Sequence, residues 1–167
     1  VERAGDQEGQ RLADVEGDLN VATVAGDIGI GTTPLVDVYS SDGAVVLTAA
    51  GNVTVDVVDT GHGSVTLEAL NGNVLGRETG LANVIASDIT LLATAGSVGD
   101  AANWIDTQTT GSSLTAIATG DGNGIYILNA AAPDADTTLT ASTDGNDAPI
   151  MVTQFGGGDL DVIDAAT

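Results

Sequence analysis

One phrase recurs along this chain of 167 residues. GSVTLEALNGNV, residues 63–74, returns as SDITLLATAGSV, residues 87–98, with the same order of apolar, small and turn residues. Apolar positions of period two mark a half-buried strand, and a fixed distance between such strands marks a solenoid. Aligned, the strands put Leu19, Val45, Val65, Ile89, Leu114 and Leu139 in one column. Val21, Leu47, Leu67, Leu91, Ala116 and Ala141 form a second, and Thr23, Ala49, Ala69, Ala93, Ala118 and Thr143 a third. The intervening positions, Asn20, Val46, Thr66, Thr90, Thr115 and Thr140, are expected to face outward, where a branched threonine packs on its neighbour in the next strand.

A glycine stands six or seven residues after the first column in every copy: Gly26, Gly51, Gly72, Gly96, Gly120 and Gly145. At a fixed offset it marks a corner that needs positive φ or close backbone approach. A second strand is expected beyond it, at Ile28 and Ile30, Val53 and Val55, Val74, Val98, Ile125 and Ile127, and Ile150 and Val152. A third apolar run covers Leu35 to Val38, Leu81 to Ile85, and Trp104 with Ile105. The first column recurs after 26, 20, 24, 25 and 25 residues, and a seventh copy opens at Leu160 and Val162. The pattern predicts an all-β parallel β-helix, a β-solenoid of about six to seven rungs, roughly 30 Å long at about 4.8 Å per rung. A β-sandwich or jelly roll is the alternative, since short strands with frequent glycine turns fit that class too. Length variation falls at TTP (32–34), GRETGLAN (76–83) and AAPDAD (131–136), loops expected to share one edge of the rod. Residues 1–16 are expected to be an N-terminal extension or weak cap. Residues 17–167 are expected to be a single solenoid domain, as a segment of a longer repeat protein or a filament subunit.

With four aromatics (Tyr39, Trp104, Tyr126, Phe155), the core has to be built from Val, Ile, Leu and Ala in thin, regular layers. The 24 acidic residues, 19 of them Asp, face three Arg and no Lys, for a formal charge of -21. Such a surface repels phosphate backbones and anionic membranes, and suits divalent cations or a salty exterior. The lack of Cys excludes disulfides and thiolate metal sites, and the lack of Lys excludes Schiff-base chemistry and a P-loop. No run of 18 apolar residues is present, so membrane insertion is not expected.

ITLLATAGSVGDAANWIDTQ, residues 89–108, followed by SLTAIATGDGNGIYILNA, residues 113–130, resembles the repeats of very large bacterial surface and secreted proteins of the filamentous haemagglutinin type. The resemblance spans Asp18 to Phe155. It implies a right-handed parallel β-helix that serves as a stalk or fibre in adhesion, secreted or on a prokaryotic cell surface. The acidity departs from that family's more basic or neutral surface and argues against anionic glycans as ligands.

FGGGDLDVID, residues 155–164, partly matches a calcium-binding nonapeptide in which carboxylates on stacked turns share the ion, with Asp159 and Asp161 as ligands. TGDGNGIYI, residues 119–127, offers Asp121 and Asn123 to a hard cation in a glycine-rich turn, without the spacing or terminal Glu of an EF-hand. Ca2+ is the one cofactor these residues suggest, and a corner turn is the simpler use of both stretches. Trp104, the sole tryptophan, is the candidate anchor for an interface, against a plainer role in holding a loop onto the third strand. His62, the sole histidine, reads as an exposed turn residue beside Asp59. The Asn52-Val53-Thr54 triplet fits a glycosylation acceptor but falls in an expected strand.

A β-helical polysaccharide lyase or hydrolase needs carboxylates gathered with a basic residue on one face. Here the Asp residues are spread over corners and Arg77 is the only basic residue within the repeats, so no catalytic residues are assigned. The expectation is a non-catalytic extracellular fibre or adhesin segment, ahead of a calcium- or glycan-binding surface module. Its partners are expected to be other copies stacked head to tail, or further repeats of a longer chain, with a host-surface or matrix ligand besides.

Overall fold

A computed structural model describes residues 10–15, 17–30, 36–77, 82–133, 135–144 and 148–166. Fifteen strands follow one another without a helix among those residues: β1 Gln10–Val15, β2 Leu19–Ala22, β3 Ile28–Gly29, β4 Val36–Ser40, β5 Ala44–Ala49, β6 Val53–Val55, β7 Val58–Asp59 and β8 Ser64–Ala69. Then come β9 Val74–Gly76, β10 Val84–Ala93, β11 Ile105–Ala118, β12 Ile125–Ala131, β13 Thr137–Thr143, β14 Ile150–Gly156 and β15 Leu160–Ala166. They coil into a parallel β-solenoid of about five turns, close to the six to seven rungs the spacing suggests. Every registered pair is parallel, which overturns the β-sandwich alternative, an antiparallel architecture.

The broad wall stacks β2, β5, β8, the second half of β10, the second half of β11, β13 and β15. Its register runs Leu19, Val45, Val65, Ile89, Leu114, Leu139 and Val162, which is the first column read from the sequence. Val45, Val65, Ile89 and Leu114 are at most 1% exposed, and each such burial contributes about 1.5–3 kcal/mol. The third column is alanine in mid-rod, next to the corner, and Ala49, Ala69, Ala93 and Ala118 are all buried.

A narrow second wall carries Ile28, Val53, Val74, Val98, Ile125 and Ile150 in register, again as expected. The third wall stacks Val38, Val58, Val84, Thr107, Asn129 and Gln154. Ile127 and Val152 belong to this wall, since Ile127 pairs with Ile105; β12 and β14 run straight from the second wall to the third where earlier rungs insert a loop. Gln10–Val15, inside the stretch expected to be an extension or cap, pairs parallel with β4 and so adds to the third wall.

The variable loops do not share one edge. The connection from β9 to β10 turns between the second and third walls, whereas that from β12 to β13 turns from the third wall into the broad one. Residues 32–34, Leu35, Leu81 and Gly145 lie outside the described residues. No helix among the described residues is long and apolar enough to cross a membrane.

Candidate functional site

Polar side chains are spent first on the corners. Asp27 Oδ1 accepts the Asn52 N–H at 2.7 Å, Asn52 Oδ1 that of Asn73 at 2.8 Å, and Asn73 Oδ1 that of Ser97 at 2.8 Å. Ser97 Oγ then accepts the Gly124 N–H at 3.1 Å. This ladder satisfies backbone donors where the chain turns out of the sheet and would otherwise leave them unpaired. It also ties up the Asn52 amide, the one a glycosylation acceptor would need free.

A second group lies inside the rod near its C-terminal end. The Thr107 hydroxyl donates to Asn129 Oδ1 at 2.8 Å, and Asn129 Nδ2 donates to Thr109 Oγ1 at 3.2 Å and to Gln154 Oε1 at 3.1 Å. Thr109 and Thr137 share a hydrogen bond of 2.8 Å, and Gln154 Nε2 reaches the Gly158 carbonyl at 3.0 Å. Buried polar groups connected in this way specify one arrangement. Here they fasten β14 and the corner leading into β15, so the last rung is held in place.

That last rung is where the rod opens. β14 and β15 each pair on one side only among the described residues, as do β1, β2 and β3 at the other end. Val162 is 55% exposed and Val21 39%, whereas the matching inward positions of inner rungs are closed; Phe155 at 53% and Met151 at 45% stand on the outward side of the last rung, in register with Ala130 and Tyr126. Of the exposed large apolar side chains among the described residues, only Leu70 lies away from the first or last rung. Among the described residues, strand edges paired on one side only and exposed apolar side chains coincide at the first and last rungs.

The structure places Asp121 and Asn123 in the turn after β11, and Asp159 and Asp161 at the start of β15, at opposite ends of the broad wall. The two pairs are therefore not brought together. Asn123 Nδ2 donates to the Thr119 carbonyl at 2.8 Å, and the Asp159 N–H donates to Asp136 Oδ1 at 3.1 Å, so both stretches are built into corner turns. Among the described residues no three of His, Cys, Asp and Glu gather closely enough to hold a metal ion. His62 is exposed, and its backbone N–H donates to Asp42 Oδ1 at 3.1 Å.

Trp104 is half-buried and meets Tyr126 edge to face, ring centroids 6.1 Å apart, with Met151 next to Tyr126 in the following rung. None of the four aromatics enters the core. The loop before Trp104 closes on Asp100, whose Oδ1 accepts the N–H groups of Ala102 and Asn103, each at 2.8 Å. The Asn103 backbone bond foremost holds the Asp100 carboxyl below the usual aspartate range, against the opposing effect of burial and with help from the Ala102 N–H.

No protein-family model, curated protein or solved structure matches this chain. The corner ladder carries a signal in the sequence: each corner glycine from Gly26 to Gly96 is followed by Asp27, Asn52, Asn73 or Ser97. The interior network carries none, because Thr107, Asn129 and Gln154 occupy positions that a hydrophobic pattern assigns to apolar residues.

Proposed function

We propose that this chain is a non-catalytic length of rod in an extracellular fibre or adhesin of the filamentous haemagglutinin type, in which rungs supply reach. One observation carries this reading: the three walls continue in register from rung to rung, and among the described residues the first and last strand of each wall pair on one side only. Each rung pairs only with its neighbours, so such a rod lengthens by adding copies at nearly constant stability per rung. An edge left open is completed by another strand, supplied by more of the same repeat or by another molecule. The acidic surface keeps rods from bundling sideways.

Electron microscopy with light scattering at micromolar protein, over a range of salt, tests it. Unbranched filaments one rod wide are the expected result. Discrete short rods under every condition would overturn self-assembly by this segment.

A further inference from the structure

We propose that the C-terminal rung of one molecule docks on the N-terminal rung of a second copy in the register of the rod itself, and that Asp161 meeting Asp18 across the joint controls whether they dock. This rests on the rod reading above, and it adds the occupant, the register and the control.

The occupant follows from the columns. Continuing the lattice one step beyond β15 sets Val162 on Leu19 and Ala165 on Val21, as Val162 already sits on Leu139 and Ala165 on Ala141. The second wall continues with Ile150 on Ile28, and the third with β14 against β1. All three walls therefore meet strand to strand, with apolar column on apolar column in the broad and second walls, and the joint covers Val162 and Val21, which the single rod leaves exposed. The hydrogen-bonded Asn129 and Gln154 hold the receiving edge in the shape the next strand needs. The contact is heterologous and does not close, so it propagates.

Charge opposes this union at one place on the broad wall. Inside the chain the outward column reads Asp18, Ala44, Ser64, Asp88, Ser113, Thr138 and Asp161. Within the chain these carboxylates have neutral neighbours: the Ala44 N–H donates to Asp18 Oδ1 at 2.9 Å, the Ser113 hydroxyl to Asp88 Oδ1 at 2.5 Å, and Thr138 stands beside Asp161. Across all strand registers of the described residues, no acidic residue faces another. The joint breaks that rule, since Asp161 would stand one rung, about 4.8 Å, from Asp18 of the next copy. Like charges directly opposite on a sheet repel, and both residues are exposed, so salt screens the repulsion.

The test compares the wild type with D161R and with E68R by light scattering and microscopy from about 10 to about 500 mM NaCl, roughly a sevenfold change in Debye length. E68R makes the same change in net charge in mid-rod, and circular dichroism checks that both variants fold. The wild type is expected to form filaments only at high salt. D161R, with an arginine opposite Asp18, is expected to form them at low salt, and E68R to stay close to the wild type. Equal shifts in the two variants would overturn the register and leave net charge in control. Wild-type filaments that ignore salt and D161R alike would overturn the gate while leaving the rod reading standing. Absence of filaments from every protein at every salt would overturn the docking of one copy on another, and with it self-assembly by this segment.

Discussion

At the scale of single residues, the corner glycines answer to two different demands. Gly26 and Gly120 have φ of 84° and 101°, where a side chain strains the backbone. Gly51, Gly72 and Gly96 do not, and are needed for space: a Cβ on Gly51 would overlap Asp27 Oδ1, and one on Gly72 would lie 2.6 Å from Asn52 Oδ1. The ladder and the glycine are thus one device, in which the side chain of one rung fills the room the next glycine leaves. Gly51→Ala is expected to push the Asp27 carboxylate aside and lose its bond to Asn52, costing about 1 kcal/mol. Asp27→Ala should cost a similar amount, and the double variant little more than either, a coupling that urea unfolding of the four proteins measures. Gly63→Ala is the contrast, because its Cβ would strike the Gly43 carbonyl and lie 2.9 Å from the Asp42 carbonyl carbon. Backbone cannot swing away, so a larger loss of about 1–3 kcal/mol is expected from the same measurement.

At the scale of elements, what was legible in the sequence divides along the walls. The broad wall was legible down to its register, because alternation of period two and a nearly constant spacing both survive in every copy. The second wall was legible through single apolar residues such as Val74 and Val98 behind each corner. The third wall was only partly legible. There the interior changes from Val38, Val58 and Val84 to Thr107, Asn129 and Gln154, whose burial is made tolerable by hydrogen bonds that no hydropathy pattern records. The candidate cation ligands Asp159 and Asp161, and Asp121 and Asn123, were read from neighbouring positions in the sequence, and only stacking decides which corners share an edge.

The loop from Asp100 to Trp104, inserted where β12 later runs straight, makes its own prediction. Asp100 has a depressed carboxyl pKa in the fold, so its contribution to the loop is present above the unfolded value of about 3.9 and is lost as pH falls through the folded value. The amides of Ala102 and Asn103 should therefore exchange faster with solvent as pH falls below about 4, beyond the intrinsic pH effect. In Asp100→Ala the same amides should be unprotected at every pH. Protection that does not follow the titration of Asp100 would assign the loop's order to the Trp104 and Tyr126 contact instead.

At the scale of the whole molecule, the paired strands of the described residues carry their share of a formal charge of -21 without setting one acidic residue opposite another. Stability is then set rung by rung, and a rung can be counted out or in. Val65 and Ile89 occupy one column 24 residues apart, so deleting residues 65–88 joins Ser64 to Ile89 in the correct phase, with Leu91 landing on Leu47 and Ser97 on Asn52. Duplicating the same residues adds a rung by the same rule. Both proteins are expected to keep the β-sheet dichroism of the parent, with the urea m-value lower in the deletion and higher in the duplication, roughly in proportion to the surface each rung buries. Deleting residues 65–76 instead, half a turn, sets the broad wall against the wrong strands and should abolish cooperative unfolding. If the half-turn deletion unfolds as cooperatively as the full-turn one, the columns are not what holds the rod, and its length would not be free to vary by whole rungs.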